Sequence, residues 1–201
     1  MARNRSLDDG VNVAEEILDS SMRLFNERGY DGTSIRDIAV ATGISSSTLY
    51  HHYKNKQEIL YSGLCRFMIA FNAAIIPGLS EPEVPPLDRI IRAAALHVQL
   101  SVQRSTELRH VRQFKSSLLE SQLRDLLDMQ WEYQGALKAV IKEGCAAGDL
   151  ATEDPDLTTM AILDMLNGVR GWYSAIGPMS LDDINRHYAT LIRKTLSGTL
   201  Q

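Results

Sequence analysis

Apolar residues recur every three or four positions along almost the whole 201-residue chain, and this helical period is the feature that most restricts its fold. No segment alternates apolar and polar residues over the length of a β-strand. The period therefore predicts an all-α protein. The first stripe consists of Val13, Ile17, Ser21, Leu24 and Phe25, and Gly29 follows it as a helix C-cap.

Two short helices are predicted after this stripe, from the positions of small polar residues and glycine. Thr33 is expected to be the N-cap of the first helix, which Gly43 ends. Ser45 is expected to be the N-cap of the second, which ends near Tyr53. Asn55 then begins a long helix, with a capping-box glutamate three residues further on.

Prolines and capping residues divide the rest of the chain. Residues 77–86 are expected to form a loop, because three of their prolines interrupt a helix. Asp154 and Pro155 begin a helix in which residues 157–169 are apolar nearly all round, which predicts burial on several sides. The other helices are predicted near residues 87–103, 107–115, 117–146 and 180–198.

The composition is that of a soluble globular protein, with 44% hydrophobic residues and a formal net charge of −4. The longest apolar run, residues 67–79, is interrupted by Asn72 and Pro77 and is shorter than the roughly 20 residues that a membrane span needs. The first ten residues lack the apolar segment of a signal peptide. Cys65 and Cys145 lie far apart without metal-ligand spacing, which favours a reducing compartment. We therefore expect a cytoplasmic protein with no membrane partner.

The two short helices are joined by the sequence TGIS, and this arrangement is typical of a helix-turn-helix motif. In such a motif the N-terminal residues of the second helix enter the DNA major groove. The side chains expected to contact DNA are Ser45, Ser46, Ser47 and Thr48 at base edges and phosphates, Tyr50, His51 and His52 at phosphates, and Lys54 and Lys56 through their charge.

The adjacent histidines, His51 and His52, raise two alternatives, a metal site and a catalytic site. Neighbouring residues on a helix point about 100° apart, and no third ligand lies nearby in the sequence. No nucleophile or orienting carboxylate is paired with either histidine. Both alternatives are disfavoured, and we expect neither a metal nor a cofactor.

Residues 29–60, GYDGTSIRDIAVATGISSSTLYHHYKNKQEIL, resemble the DNA-binding half of the TetR family of bacterial repressors. The resemblance rests on T-S-x-R-x-I-A, G-I-S and L-Y-x-H-Y-x-x-K, with Tyr53 where phenylalanine is common. It implies a homodimer whose subunit has nine or ten helices, three for DNA and the others for a ligand pocket and a dimer interface. The family's DNA-contacting positions match Ser34, Arg36, Ser46, Ser47, Thr48, Tyr50, His51, His52 and Lys56.

The predicted DNA-binding module is not basic overall, because residues 1–56 carry seven Lys or Arg residues against eight Asp or Glu residues. Its positive charge is local, at Arg36, Lys54 and Lys56. Few phosphate contacts give a shallow salt dependence and weak non-specific binding. We therefore expect that affinity needs both halves of the homodimer on a palindromic double-stranded operator, with half-site centres about 34–36 Å apart.

We expect a helix-turn-helix domain at residues 1–54, with a flexible arm at residues 1–9, and a ligand-binding and dimerisation domain at residues 55–201. The resemblance implies that the last two helices form a four-helix bundle across the two-fold axis. The candidate interface residues, for each of which an intrachain core position is the alternative, are Met160, Leu163, Leu166, Leu191 and Ile192.

Polar and aromatic residues within apolar helices are the candidates for an effector site. Arg170 is the most informative, because a charge in an apolar helix needs a partner, either an acid such as Asp164 or an anionic group of a ligand. The candidates are Phe67, Phe71, His110, Arg112, Trp131, Gln134, Arg170, Trp172 and Tyr173, with His97 as a further wall residue. Residues 170–198 are similar to family members that regulate fatty-acid and steroid breakdown, which often sense CoA thioesters.

The sequence therefore predicts a ligand-responsive repressor that a small apolar or acyl-CoA effector releases from its operator, in lipid or steroid catabolism. One alternative is a repressor that senses oxidation through Cys65 or Cys145, although their apolar neighbours favour inert thiols. The other is an all-α enzyme. No catalytic constellation occurs at a usable spacing, so we expect the chain not to be an enzyme.

Overall fold

The computed structural model describes residues 7–103 and 115–198, with side chains for residues 13–103 and 116–198. Within these ranges it contains eight α-helices, one short 3-10 helix and no strand, which confirms the all-α prediction. The helices are α1 Leu7–Arg28, α2 Ile35–Thr42, α3 Ser46–His52, α4 Lys56–Leu79, α5 Pro86–Gln103, the 3-10 helix Lys115–Ser117, α6 Glu120–Ala147, α7 Pro155–Trp172 and α8 Leu181–Leu196.

The chain divides into two compact units, of which the first comprises residues 1–67 and 106–126. In this unit α1 packs against α2, and α2 packs against α3. The predicted stripe of α1 lies in the core, where Ile17 and Phe25 are fully buried. Leu49 of α3 is fully buried as well. The interior side of the helix-turn-helix is therefore apolar, and its polar side chains are left for the surface.

The second unit comprises residues 68–105 and 127–201. Helix α5 packs against both α7 and α8. Arg89 of α5 is buried; its Nη1 donates to Leu79 O at 3.0 Å and its Nη2 donates to Glu143. This side chain joins the end of α4 to α5 and α6. The division falls inside α4 and inside α6, while the predicted boundary after residue 54 stays a prediction.

Most predicted helix ends are confirmed by their caps. Gly43 and Gly148 follow α2 and α6 with φ of +66° and +81°, the left-handed conformation that glycine adopts without strain. Ser45 is the N-cap of α3, Asp154 that of α7 and Ser180 that of α8.

The N-cap of α2 was predicted one residue too early. Ser34 is the N-cap, and it forms a capping box with Asp37. The Thr33 side chain is instead buried and donates to Gly29 O at 2.9 Å and to Leu24 O at 3.3 Å. Both residue types are good caps, and the sequence does not show which of the two hydroxyls faces the core.

The predicted loop at residues 77–86 is shorter than expected, because α4 continues through Pro77 to Leu79 and α5 begins at Pro86. Pro77 cannot donate to the carbonyl of Ala73, but Ala73 is exposed and its carbonyl can be hydrated. The proline also lies in the last turn of α4, so little helix follows it. Two other expectations fall partly outside the described residues, the helix at 107–115 and the arm at 1–9; α1 begins at Leu7, inside the predicted arm.

The continuous helix Lys56–Leu79 bears on the expectation that the longest apolar run is too short to span a membrane. By length and composition alone it is long and apolar enough to cross a bilayer, contrary to the expectation from the interrupted run. Half of its apolar window is buried inside the structure, and a core helix passes the same test. The helix therefore gives no argument for a membrane span.

Candidate functional site

The turn before α3 fixes how this helix is presented. Gly43 N donates to Val40 O, and Ile44 N donates to Ala39 O at 3.0 Å, so the turn is tied to the end of α2. Ser45 Oγ accepts from Thr48 N at 3.0 Å and caps α3. With Leu49 buried, the opposite side of α3 faces solvent and is available to a partner.

The hydroxyl groups at the start of α3 form one local network. Ser45 Oγ lies 3.0 Å from Ser47 Oγ and 2.8 Å from Thr48 Oγ1. Ser45 and Ser47 are exposed, whereas Ser46 and Thr48 are half-buried. Ser45 is already engaged as a cap, so Ser47 is the other exposed hydroxyl residue here that can meet a base edge or a phosphate.

The aromatic and imidazole groups of α3 differ in exposure. Tyr50 is 53% exposed, and His51 is exposed beside it. His52 is half-buried. The next residue, Tyr53, donates from its hydroxyl to Ala14 O at 3.3 Å and so ties the end of α3 to α1. Sequence reasoning did not identify this anchoring role.

The predicted cations have unequal surroundings. Arg36 and Lys54 are exposed. Lys56 Nζ donates to Tyr30 O at 2.7 Å and to Thr33 O at 2.9 Å, and it lies 4.1 Å from the centre of the Tyr30 ring. Its ammonium group therefore stabilises the loop between α1 and α2, a role that its assignment as plain positive charge did not include.

Ser34, at the start of α2, is also committed to local structure. Its backbone N–H donates to Asp37 Oδ2 at 2.8 Å, its hydroxyl donates to the same carboxylate, and it accepts from Asp37 N. The Ser34 side chain, followed by its backbone, holds the pKa of the Asp37 carboxyl below its usual range, with Arg28 and Arg36 contributing less. The capping box fixes the N-terminus of α2 beside the exposed Arg36.

The described residues contain no group of three or more His, Cys, Asp or Glu residues placed to hold a metal ion.

Most of the other predicted side chains that the structure describes belong to the second unit, and their surroundings differ. Phe71 is buried, with its ring centre 5.0 Å from His97 and 5.6 Å from Tyr133. Trp131 and Trp172 are exposed on the surface of the chain. The remaining assignments divide as follows: Phe67 is buried in the first unit, Gln134, Arg170 and Tyr173 are half-buried, and His110 and Arg112 lie outside the described residues.

Tyr133 and Asn72 were missed by the sequence reasoning, although the signal for Tyr133 was present. The residue belongs to the buried stripe of α6 that continues through Leu137, Val140 and Ile141. Trp131 was chosen instead, together with Gln134 three residues further on, but Trp131 lies on a different face of the helix. The end of α7 and the start of α8 border an open depression of about 470 Å³, lined by residues between 173 and 183, which include Tyr173.

The predicted dimer residues also divide. Leu166 and Ile192 are 1% and 0% exposed, so they belong to the core of the subunit and offer no surface to a partner. Met160 and Leu191 are exposed, and Leu163 is half-buried. The expected burial of α7 on several sides is therefore not found within one chain, and its outer apolar face remains uncovered.

Comparison with known families identifies the architecture. The family model described as bacterial regulatory proteins, tetR family, matches residues 17–61, and that described as tetracyclin repressor-like, C-terminal domain, matches residues 83–196. The second match alone spans more than half of the chain. The chain belongs to the TetR family. The resemblance drawn from residues 29–60 is thereby confirmed, and the chain is a helix-turn-helix regulator of transcription.

Individual TetR-family relatives align over most of the chain. The HTH-type transcriptional repressor KstR2 of Rhodococcus jostii is 27% identical over 196 residues, which cover 91% of this chain and 90% of the relative. A tetR-family regulatory protein from Rhodococcus RHA1 superposes with a TM-score of 0.84 at 22% identity, over 92% and 97% of the two chains. AibR in complex with isovaleryl coenzyme A and operator DNA superposes with a TM-score of 0.80 at 22% identity, over 89% and 97%. The two structural matches show a shared fold.

Proposed function

We propose that this chain represses transcription as a homodimer that binds a palindromic operator through α3 and leaves it when an apolar CoA thioester binds the second unit. The observation that carries the proposal is the outward face of α3. There Ser47, Tyr50 and His51 are exposed on a helix held by a capped glycine turn and a buried leucine. Short hydroxyls, a phenol and an imidazole are the groups that donate to phosphates and base edges.

The homodimer is supported by the exposed apolar residues of α7 and α8. Met160 and Leu191 stand on helices whose other faces are already packed on α5. A self-complementary apolar face of this kind is what a two-fold interface buries. Two recognition helices are needed because the module carries few cations, and one copy of α3 offers few phosphate contacts.

The effector class is supported by two proteins of the same fold. AibR forms a complex with isovaleryl coenzyme A and operator DNA, and KstR2 of Mycobacterium tuberculosis is a ketosteroid transcriptional regulator. In this chain the buried polar groups around His97 lie among apolar and aromatic side chains, as in sites for an acyl or ring system. Control of lipid or steroid catabolism follows from that effector class.

The remaining parts of the proposal are a cytoplasmic location, no membrane partner and no enzymatic activity.

A thiol sensor is the less favoured alternative. Burial raises the pKa of the Cys65 thiol, although a hydrogen bond from Tyr61 opposes the shift, and a protonated thiol reacts slowly with oxidants. Cys145 is half-buried. Operator binding that peroxide leaves unchanged would remove this alternative.

The test uses the purified chain and an operator fragment selected from random DNA. Fluorescence anisotropy measures operator affinity with and without acyl-CoAs of increasing chain length and a steroid-derived CoA thioester. We expect one thioester class to weaken binding at least tenfold, and Tyr50→Ala to weaken operator binding about tenfold or more by removing a phosphate contact. Because Tyr50 lies outside the second unit, its variant keeps the thermal stabilisation that the same thioester gives the wild type.

Arg23→Ala is the matched control, because it removes an exposed cation from α1 in the same unit. It leaves operator affinity within twofold if α3 is the binding surface. Equal losses in the Arg23 and Tyr50 variants would refute the assignment to α3. Operator binding that no thioester weakens would refute the effector class and leave the DNA-binding assignment standing.

A further inference from the structure

Four helices of the second unit bring polar side chains into its apolar core. Asn72 of α4, His97 of α5 and Tyr133 of α6 are buried, and Arg170 of α7 lies close enough to act electrostatically on His97. The rings of Phe71, His97 and Tyr133 pack with centres 5.0–5.7 Å apart. A core of this composition is costly unless its polar groups are bonded.

The hydrogen bond between His97 and Tyr133 determines which ring nitrogen of His97 carries the proton. His97 Nδ1 lies 3.2 Å from the Tyr133 hydroxyl. A phenol is a good donor and a neutral imidazole nitrogen is a good acceptor, so we assign the proton of this bond to the tyrosine. The ring proton of His97 is then on Nε2, and the side chain has one N–H left to donate.

That remaining donor has no partner in the part of the chain that the structure describes. His97 Nε2 is buried and makes no hydrogen bond, although His97 is only 3% exposed. Asn72, which follows Phe71 in the chain, shows the same pattern, since its Nδ2 donates to Met129 O and to Glu132 Oε2 while its Oδ1 is unsatisfied. Buried unsatisfied groups are rare in stable cores, and at a binding site the ligand completes them.

We propose that His97 Nε2–H donates a hydrogen bond to the thioester carbonyl oxygen of the bound effector, and that Tyr133 is the positioning residue that fixes the donor tautomer. The inference rests on the proposed effector class and deepens it, because it names the chemical group that the site recognises. His97 was among the wall residues that the sequence suggested, whereas Tyr133 was not.

A neutral carbonyl fits this donor better than a carboxylate does. Burial, and then the charge of Arg170, lower the pKa of His97 to about 3, so the ring is uncharged at physiological pH. An uncharged donor among the rings of Phe71 and Tyr133 suits an uncharged acceptor, because burying a neutral carbonyl costs less than burying a carboxylate. A thioester carbonyl is an uncharged acceptor attached to an apolar chain.

The test compares two ligands that differ only in the carbonyl. Octanoyl-CoA carries the thioester, and S-octyl-CoA, the thioether, has a methylene in place of the C=O. Isothermal titration of the wild type is expected to show about tenfold tighter binding of the thioester, the size expected for one hydrogen bond of roughly 1.4 kcal/mol. His97→Phe removes the donor and makes the two affinities equal.

Two further variants keep the proposal falsifiable if His97→Phe folds poorly. His97→Gln places an amide N–H near the position of Nε2 and restores part of the preference for the thioester. Tyr133→Phe removes only the hydroxyl that fixes the tautomer, and it lowers the preference without abolishing binding. Far-UV circular dichroism confirms the helical fold of each variant, and Gln130→Ala, at an exposed position of α6, is expected to keep the wild-type preference.

The results that would refute the role of His97 differ from those that would refute the effector class. Thioester binding with an undiminished preference in both His97→Phe and Tyr133→Phe overturns the inference and leaves the effector class intact. Equal wild-type affinity for the thioester and the thioether overturns it as well. If neither an acyl-CoA from 4 to 18 carbons nor the steroid-derived CoA thioester binds the wild type, the effector class itself is wrong, and the site assignment falls with it.

Discussion

At the scale of single residues, burial decides between two functions that the same chemical group can perform. Thr33 and Ser34 are adjacent hydroxyl residues and both are common caps. Thr33 satisfies carbonyl groups inside the first unit, while Ser34 caps α2 at the surface. Lys56 is similar: its ammonium binds two backbone carbonyls in addition to the role that its place in the motif predicts.

The capping box of α2 gives a prediction with a defined pH dependence. The folded-state pKa of Asp37 is lowered, so its contribution to stability is complete above the ordinary value of 3.8 and is lost as the pH falls through and below that value. At pH 7, Ser34→Ala is expected to lower the free energy of unfolding by about 1 kcal/mol. Urea denaturation at pH 3 is expected to show a smaller difference between the two proteins, and a larger difference at pH 3 would contradict the capping box.

The buried histidine gives a second prediction, of greater size. The folded-state pKa of His97 is about 3, below the ordinary 6.5, so the unfolded chain binds the extra proton between these values. The free energy of unfolding therefore falls with decreasing pH, by on the order of 1 kcal/mol per pH unit between pH 6 and 4 from this group. Denaturation of His97→Phe is expected to show a correspondingly flatter pH profile. His187→Gln changes an exposed histidine on α8 and is expected to keep the wild-type profile.

At the scale of helices, the sequence predicted the number and type of the described elements well and their ends less well. Glycine caps after α2 and α6 were identifiable because glycine adopts the positive φ of a C-cap without strain. Pro77 misled the prediction, since a proline in a last turn with an exposed carbonyl below it does not end a helix. The buried face of α6 could have been predicted from its stripe, which contains Tyr133 and excludes Trp131.

Two glycines of α6 test whether side-chain packing or helix propensity determines the effect of replacing a glycine by alanine. A Cβ at Gly144 would lie 2.5 Å from Leu150 Cδ1 and 3.1 Å from Pro86 Cβ, whereas a Cβ at Gly135 meets nothing within 4 Å. Gly144→Ala is expected to destabilise the protein by about 1–2 kcal/mol, because overpacking exceeds the gain in helix propensity. Gly135→Ala is expected to stabilise it by about 0.5–1 kcal/mol. Thermal unfolding measures the stability of both variants. Stability changes of the same sign would contradict the packing of α6.

At the scale of the whole molecule, the sequence identified the family and its helix-turn-helix domain but could not settle the surfaces that only a fold or a partner defines. Helical periodicity continues across the unit boundaries in α4 and α6, so it carries no sign of where one unit ends. Apolar residues of α7 and α8 have the same period whether they face the core, as Leu166 does, or solvent, as Met160 does. Helical spacing alone does not separate these cases.

The proposed homodimer can be tested by placing one charged side chain on the exposed apolar face of α7. Met160→Glu places a carboxylate on the exposed face of α7 and is expected to convert the dimer into a monomer at micromolar concentration, because an unpaired charge cannot be buried in an apolar interface. Light scattering after size exclusion measures the mass. Met179→Glu is the control, since Met179 has similar exposure, 49% against 52%, but lies between α7 and α8. A dimer that both variants retain would exclude this face of α7 from the interface.

The central claim is that α3, in two copies, recognises a palindromic operator. The most direct measurement is selection of binding sites from random double-stranded DNA by the purified wild-type chain and by Tyr50→Ala in parallel. We predict that the wild type enriches a palindrome whose half-site centres lie about 34–36 Å apart, and that the variant enriches the same palindrome much more weakly. No enriched sequence from the wild type, a single asymmetric site, or equal enrichment by the variant would contradict the claim.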